Sequence, residues 1–295
     1  MQYRYYTLDV FTNTRFGGNP LAVLPDAAGL STEQMQAITR EFNYSEATFV
    51  LAPEDPAAHR KVRIFMPTKE VPFAGHPNVG TAYALAATGA LGELGDGEHS
   101  VVFEELAGNV PVRIRIKNGR PIDCELAAPQ TLELGPPLTT PALAPALGLA
   151  GGDLVTDGAV VASAGLAFAT VELHGADALA RANVSASAWD ECGVGTDGVL
   201  VYVREGERDV RCRMFAPSIG IPEDPATGSA VCALAGVLAK RDFVSDGEVS
   251  YRIRQGVEMG RPSELSARAV MVGGEPSALF VGGPSVMVME GTLNV

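Results

Sequence analysis

A ten-residue pattern of this chain recurs, with four positions identical. Residues 63–72 read RIFMPTKEVP and residues 213–222 read RMFAPSIGIP. Arg63, Phe65, Pro67 and Pro72 recur as Arg213, Phe215, Pro217 and Pro222 at a constant offset of 150 residues. Ile64/Met214, Thr68/Ser218 and Val71/Ile221 are conservative pairs. A loop of small residues follows each copy, Ala74-Gly75-His76-Pro77 or Pro225-Ala226-Thr227-Gly228. Each loop opens a stretch without a charged side chain, Asn78 to Leu91 and Gly228 to Ala239. A helix that is apolar or small all round is buried on every side. The repeat therefore predicts two similar domains, each a sheet curled around a central helix. The 295 residues are enough for two such cores.

Aromatic and β-branched runs supply the strands of the first domain: Tyr3 to Phe11, Leu21 to Leu24, Glu46 to Leu51, Val62 to Met66, Ser100 to Glu105, Val110 to Ile116 and Ile122 to Leu126. Ser31 with Gln34 three residues on forms a capping box, and Met35, Ile38 and Phe42 fall on one face, which predicts an amphipathic surface helix. Residues Pro67 to Pro77 read as a loop. Pro129 to Pro145, heavy in proline, leucine and threonine, reads as the link to the second domain. The strands expected there are Val160 to Ala162, Ala167 to Leu173, Gly198 to Val203, Val210 to Phe215, Val249 to Arg254, Ala267 to Val272 and Ala278 to Val281. Lys240 and Arg241 end the second charge-free helix, where cations suit the dipole. The domains are thus expected at residues 1–128 and 129–284.

Net charge sets what the chain can meet. At −13, with a pI near 4.8, the surface repels nucleic acid and anionic membranes, so neither is expected as a partner. A locally positive site still admits a small anionic metabolite. Met1 to Phe11 lacks the basic start and apolar run of a signal peptide, and no stretch is apolar enough to span a bilayer, so the expected location is cytoplasmic. Cys124, Cys192, Cys212 and Cys232 lack CxxC spacing, and His59, His76, His99 and His174 lack ligand spacing. Four reduced thiols are expected, with no disulfide framework and no metal site.

Related domains often face each other across a cleft, a common place for ligands. The two loops would then bring two helix N-termini to that cleft, with free N–H groups and positive dipole ends pointing inward. Such a site suits a carboxylate, or a negative charge that develops during reaction.

Several segments together resemble a known family. Gly18-Asn19-Pro20-Leu21-Ala22-Val23, Tyr44-Ser45-Glu46-Ala47-Thr48-Phe49-Val50, Pro72-Phe73-Ala74-Gly75-His76-Pro77 and Glu223-Asp224-Pro225-Ala226-Thr227-Gly228-Ser229 look like the PhzF-like phenazine-biosynthesis isomerases. So do Gln255-Gly256 and Met259-Gly260-Arg261-Pro262-Ser263, and the matches run in order over most of the chain. The resemblance implies the α+β fold of diaminopimelate epimerase: two pseudo-symmetric domains, each a mostly antiparallel sheet wrapped around one helix. It also implies that the last strand, Ser285 to Leu293, returns to the first domain, and that the protein is a homodimer. In the epimerase two cysteines open the buried helices and do the acid–base work. Here those places hold Ala74 and Pro225, so a two-thiol racemisation is not available, and Cys232, one turn inside the second helix, reads as core.

The resemblance implies a cofactor-independent isomerase in which Glu46 carries a proton and His76 and Asp224 assist. On residue type alone Glu46 reads as a solvated charge at a strand edge. His76 reads as a loop imidazole bonded to backbone, Asp224 as a cap or turn former, and Asn19 as a turn residue or a substrate contact. Gly75, Gly228 and Ser229 are candidates for binding, because small residues let a ligand approach backbone N–H groups. The residues leave Arg63 and Arg213 open between ion pairs and substrate contacts. Moving a double bond needs a base that takes a proton from one carbon and returns it to another. A single carboxylate with a pKa near the working pH can do both, and burial raises a carboxyl toward that range. Two other readings fit the pattern: an epimerase using Glu46 and Asp224 as unlike acid and base, and a non-catalytic ligand-binding or interaction protein on the same fold.

Overall fold

The computed structural model describes residues 1–295. Its contacts divide the chain into two units, residues 1–127 with 282–295 and residues 128–281.

In the first unit β1 (Gln2–Val10) and β2 (Asn19–Leu24) form an antiparallel pair. Helix α1 (Thr32–Phe42) then crosses over to β3 (Glu46–Leu51), which lies parallel to β2, as a parallel connection requires. The expected capping box starts α1: the Ser31 N–H donates to Gln34 Oε1 at 2.8 Å and the Gln34 N–H donates to Ser31 Oγ at 3.3 Å. Strand β4 (Arg60–Phe65) runs antiparallel to β3, and the short β5 (Glu70–Val71) folds back on it. Helix α2 (Gly75–Ala87) is the second crossover and delivers β6 (Gly97–Glu105) parallel to β4. β7 (Gly108–Lys117) and β8 (Arg120–Ala127) complete an antiparallel meander.

The second unit repeats this plan. β9 (Glu133–Pro137) pairs with β10 (Leu154–Ser163), after the short helix α3 (Thr140–Ala146). β11 (Ala167–Leu173) is antiparallel to β10. Two short helices, α4 (Ala176–Arg181) and α5 (Ala186–Glu191), cross to β12 (Val199–Arg204), parallel to β11. β13 (Asp209–Ala216) and β14 (Ile221–Asp224) precede α6 (Gly228–Arg241), and β15 (Gly247–Gln255) emerges parallel to β13. β16 (Ser263–Val272) and β17 (Glu275–Gly283) follow. The last strand, β18 (Ser285–Asn294), runs antiparallel to β1 from Gln2 opposite Asn294 to Val10 opposite Ser285.

The charge-free helices are the cores of their units. Every residue of α6 from Ala230 to Ala239 is buried, as are His76 to Ala82, Ala84 and Leu85 of α2. Helix α2 packs on β1, β2, β3, β7, β8 and β18, so the sheet curls around it. Each leucine or valine removed from water this way contributes about 1.5–3 kcal/mol.

Two expectations need correction, and one question that the sequence left open is answered. Residues 129–145 are not a bare link, because Glu133–Pro137 pairs in the ladder and Thr140–Ala146 is helical. Pro141 sits in the first turn of α3, where its missing N–H goes unnoticed, so proline there marks a helix start. Residues 67–77 are not loop throughout: β5 lies inside them and α2 begins at Gly75, with Pro77 tolerated in its first turn for the same reason. The arginines of the repeat are structural. Arg63 Nε and Nη2 each donate to the Glu70 carboxylate at 2.7 Å, and Arg213 Nε and Nη2 donate to Glu223 at 2.8 Å. Each guanidinium also lies over the phenylalanine two residues on, 5.1 Å from the Phe65 ring and 4.8 Å from the Phe215 ring.

Candidate active site

Glu46 opens β3, and its direction is set by the pleat. Glu46 and Thr48 project from the same face of the strand. The Thr48 hydroxyl meets the Thr81 hydroxyl of α2 at 2.8 Å, both fully buried. That face of β3 therefore looks onto α2, and two residues back along the strand Glu46 reaches the helix start. Its Oε2 lies 3.5 Å from Nδ1 of His76, the second residue of α2. The spacing is within ion-pair range and longer than a good hydrogen bond, as catalytic contacts often are before substrate tightens them.

Glu46 is not the solvated strand-edge charge that its residue type alone predicts. Its side chain is 15% exposed, against 6% for His76. Burial disfavours the charged form and raises the Glu46 carboxyl to about 7, with the Ser45 hydroxyl pulling the other way. Ser45 Oγ also donates to Asn19 Oδ1 at 3.2 Å, which brings Asn19, at the start of β2, into the same corner. Gly18 sets up that corner. It has φ +60°, and a Cβ there would collide with the Val10 carbonyl and lie 2.6 Å from Thr12 Cγ2, so no other residue fits unstrained. Gly75 is the first residue of α2, and no side chain caps this helix. The first unit thus gathers Asn19, Ser45, Glu46, Gly75 and His76.

The second unit gathers Asp224, Gly228 and Ser229. Asp224 ends β14 and accepts a hydrogen bond from the Thr227 hydroxyl. Gly228 and Ser229 open α6, which likewise has no side-chain cap. The residue whose role the sequence left open is Gln255, fully buried at the end of β15. Its Oε1 accepts the Thr227 N–H at 3.2 Å, and its Nε2 donates to the Asp224 carbonyl at 2.7 Å and to Thr227 Oγ1 at 3.1 Å. One amide thereby pins the loop that opens α6. The next residue, Gly256, has φ +71°, and a Cβ there would sit 2.5 Å from the Arg261 carbonyl and 2.8 Å from that of Pro225. The pairing Gln255-Gly256 was the visible signal, but nothing local in the sequence tells that the amide reaches back some thirty residues.

Cys212 comes nearest to either cluster, its Sγ 3.8 Å from Gln255 Oε1. Burial pushes the Cys124 and Cys212 thiols well up, so they stay protonated, and Cys232 is buried in α6. No three His, Cys, Asp or Glu side chains are grouped as metal ligands, and no helix is long and apolar enough to cross a membrane.

The sequence profile of the family described as phenazine biosynthesis-like protein matches residues 8–291. The chain belongs to this family. An uncharacterized isomerase of Mesorhizobium japonicum is 40% identical to this chain, over 99% of each. The trans-2,3-dihydro-3-hydroxyanthranilate isomerase of Pseudomonas aeruginosa is 37% identical over 98% of each. Among solved structures, the phenazine biosynthesis protein of Bacillus anthracis, of the PhzF family, superposes with a TM-score of 0.87 at 26% identity and covers all of both chains. The chain is an isomerase with the diaminopimelate-epimerase-like fold.

Proposed function

We propose that this isomerase moves a proton between two carbons of a small carboxylated substrate, with Glu46 as the single acid and base. Ionised Glu46 takes a proton from one carbon, and the electrons of the broken C–H bond delocalise into the neighbouring unsaturated system. The protonated carboxyl then returns the proton to a second carbon on the same face, so atoms and electrons balance without a redox partner. The observation that carries this reading is a largely buried carboxyl, raised to about 7, within 3.5 Å of an imidazole at a helix start. A base with a pKa near neutrality has both forms available at the working pH.

His76 and Asp224 are assigned assisting roles. His76 Nδ1, 3.5 Å from Oε2, is placed to hydrogen-bond the carboxyl when substrate tightens the contact, and Asp224 acts from the loop that Gln255 holds. Asn19, Gly75, Gly228 and Ser229 are assigned to binding. In the uncapped first turns of α2 and α6 the N–H groups favour a carboxylate or a delocalised anion. Curated relatives carry the name trans-2,3-dihydro-3-hydroxyanthranilate isomerase, which makes a cyclic, unsaturated amino acid the first substrate to try. The test is proton exchange in D₂O on that compound and on a panel of small cyclic carboxylates, followed by NMR. Wild type is expected to isomerise one of them while retaining part of the substrate hydrogen. Glu46→Gln is expected to lose about 10²–10⁴-fold. Exchange that survives in Glu46→Gln at the wild-type rate overturns the assignment.

A further inference from the structure

Thr227 holds the N-cap place of α6, where a threonine ordinarily turns its hydroxyl oxygen onto an N–H of the first helical turn. Here no such cap bond is made. The hydroxyl instead donates to Oδ2 of Asp224, three residues back and half-buried at the end of β14. Every other polar group of Thr227 is engaged as well. Its carbonyl accepts the Val231 N–H at 3.0 Å, which begins the helix. Its N–H donates to Gln255 Oε1 at 3.2 Å, and its Oγ1 accepts from Gln255 Nε2 at 3.1 Å. The N-cap of the other charge-free helix, α2, is Ala74, which has no hydroxyl. A helix start of this kind is therefore built without one, and the Thr227 hydroxyl serves Asp224 rather than the helix.

A threonine hydroxyl has one proton to give and lone pairs that accept. Gln255 decides how they are used. Its amide is fully buried, and its orientation follows from its neighbours. Oε1 faces two donors, the Thr227 N–H and the Cys212 thiol with Sγ 3.8 Å away. Nε2 faces two acceptors, the Asp224 carbonyl at 2.7 Å and Thr227 Oγ1. Turned over, the amide would set donor against donor and acceptor against acceptor. Burial keeps the Cys212 thiol protonated, and so a donor. Because Nε2 already donates to Oγ1, the hydroxyl proton is directed at the carboxylate. We propose that Thr227 is a positioning residue for Asp224: its hydroxyl fixes one carboxylate oxygen, and with it the side-chain rotamer, so that Asp224 meets substrate as an acceptor of set direction. A hydrogen bond to an ionised acceptor is stronger than a neutral one, which suits such a restraint. The use made of this aim rests on Asp224 assisting in the proposed reaction, but the aim itself does not.

Two variants of the full chain test this: Thr227→Val keeps the shape and removes the hydroxyl, and Thr227→Ser keeps the hydroxyl. Three-bond NMR couplings to Asp224 Cγ read its rotamer without any substrate. Wild type and Thr227→Ser are expected to hold Asp224 in one rotamer, and Thr227→Val to average over at least two. Amide hydrogen exchange of residues 228–234 is expected to stay within about 3-fold of wild type in both variants, because the backbone bonds that start α6 remain. A single Asp224 rotamer in Thr227→Val overturns the inference. So does lost protection of α6 in that variant, which would make the hydroxyl a structural one. On a substrate that wild type turns over, Thr227→Val is expected to lower kcat about 10-fold or more with KM within about 3-fold, and Thr227→Ser to restore most of the loss. A wild-type kcat in Thr227→Val beside an impaired Asp224→Asn also overturns the inference. Failure of the proposed reaction shows separately, as a full rate in Asp224→Asn, and leaves the couplings to decide the aim.

Discussion

Burial holds the Glu46 carboxyl neutral up to about pH 7, and this couples its charge to stability. Its folded pKa is about 7, above the ordinary 4.5. Between those values the native state binds a proton that the unfolded chain does not, so its contribution is whole below pH 4.5 and is lost as pH rises through 7. The loss is on the order of 3 kcal/mol above pH 7, from the size of the shift. Glu46→Gln removes the titration, so its melting temperature is expected to match wild type near pH 4 and to exceed it by several degrees at pH 8. A calorimetric pH series checks this, and an equal effect at both pH values refutes the buried-acid account. In the proposed mechanism the same pKa governs the rate: the base form grows with pH, so kcat/KM is expected to rise tenfold per unit below about 7 and level off above it. His76 was legible as a companion only because the loop residues fall in a known order; that its ring lies beside Glu46 follows from the β3 pleat meeting α2, which no spacing in the sequence encodes.

At the scale of elements, the two central helices are held differently, α2 by a small residue that lets the sheet close on it and α6 by a single reaching side chain. Gly80 of α2 is a packing glycine. A Cβ there would lie 2.6 Å from Leu21 Cδ2 and 2.7 Å from Val10 Cγ2, both fully buried. Alanine gains about 1 kcal/mol of helix propensity, but overpacking at this distance costs about 1–3 kcal/mol. Gly80→Ala is therefore expected to lower the urea midpoint, although the substitution favours a helix in isolation. Gln255→Leu is expected to cost about 1–3 kcal/mol, because it removes the amide that the half-buried Thr227 N–H and Asp224 carbonyl bond to. The absence of charge from α2 and α6 was readable directly, since a helix without a polar face must be covered. The helices α3, α4 and α5 were not, since each is six or seven residues long, too short for periodicity to declare itself against tertiary packing.

At the scale of the whole molecule, the repeat is a repeat of architecture in which equivalent work is done by residues that need not be equivalent in sequence. The arginines recur at the 150-residue offset, but their acids do not: Glu70 corresponds to Gly220, and Arg213 takes its carboxylate from Glu223 instead. That is why the strand–loop–helix plan was legible and the pairing was not. A sequence repeat preserves the side chains that packing fixes, while an ion pair needs only a carboxylate that reaches. The two pairs also differ in depth, and this gives a prediction. The Arg213 side chain is 10% exposed, and its Nη1 donates to the carbonyls of Leu179, Ala180 and Ala182 at 2.8–3.1 Å, which ends α4. The Arg63 side chain is 20% exposed and adds one bond, to Thr32 Oγ1 at 3.0 Å. Removing one partner of a buried pair strands the other charge and costs about 3–5 kcal/mol, whereas a partly solvated pair is worth about 1 kcal/mol. Arg213→Met is therefore expected to lower stability several-fold more than Arg63→Met in urea titrations. Double variants with Glu223→Gln and Glu70→Gln are expected to recover a similar small part of each loss, because the two acids are 16% and 20% exposed and the larger loss at Arg213 comes from the three carbonyls it leaves.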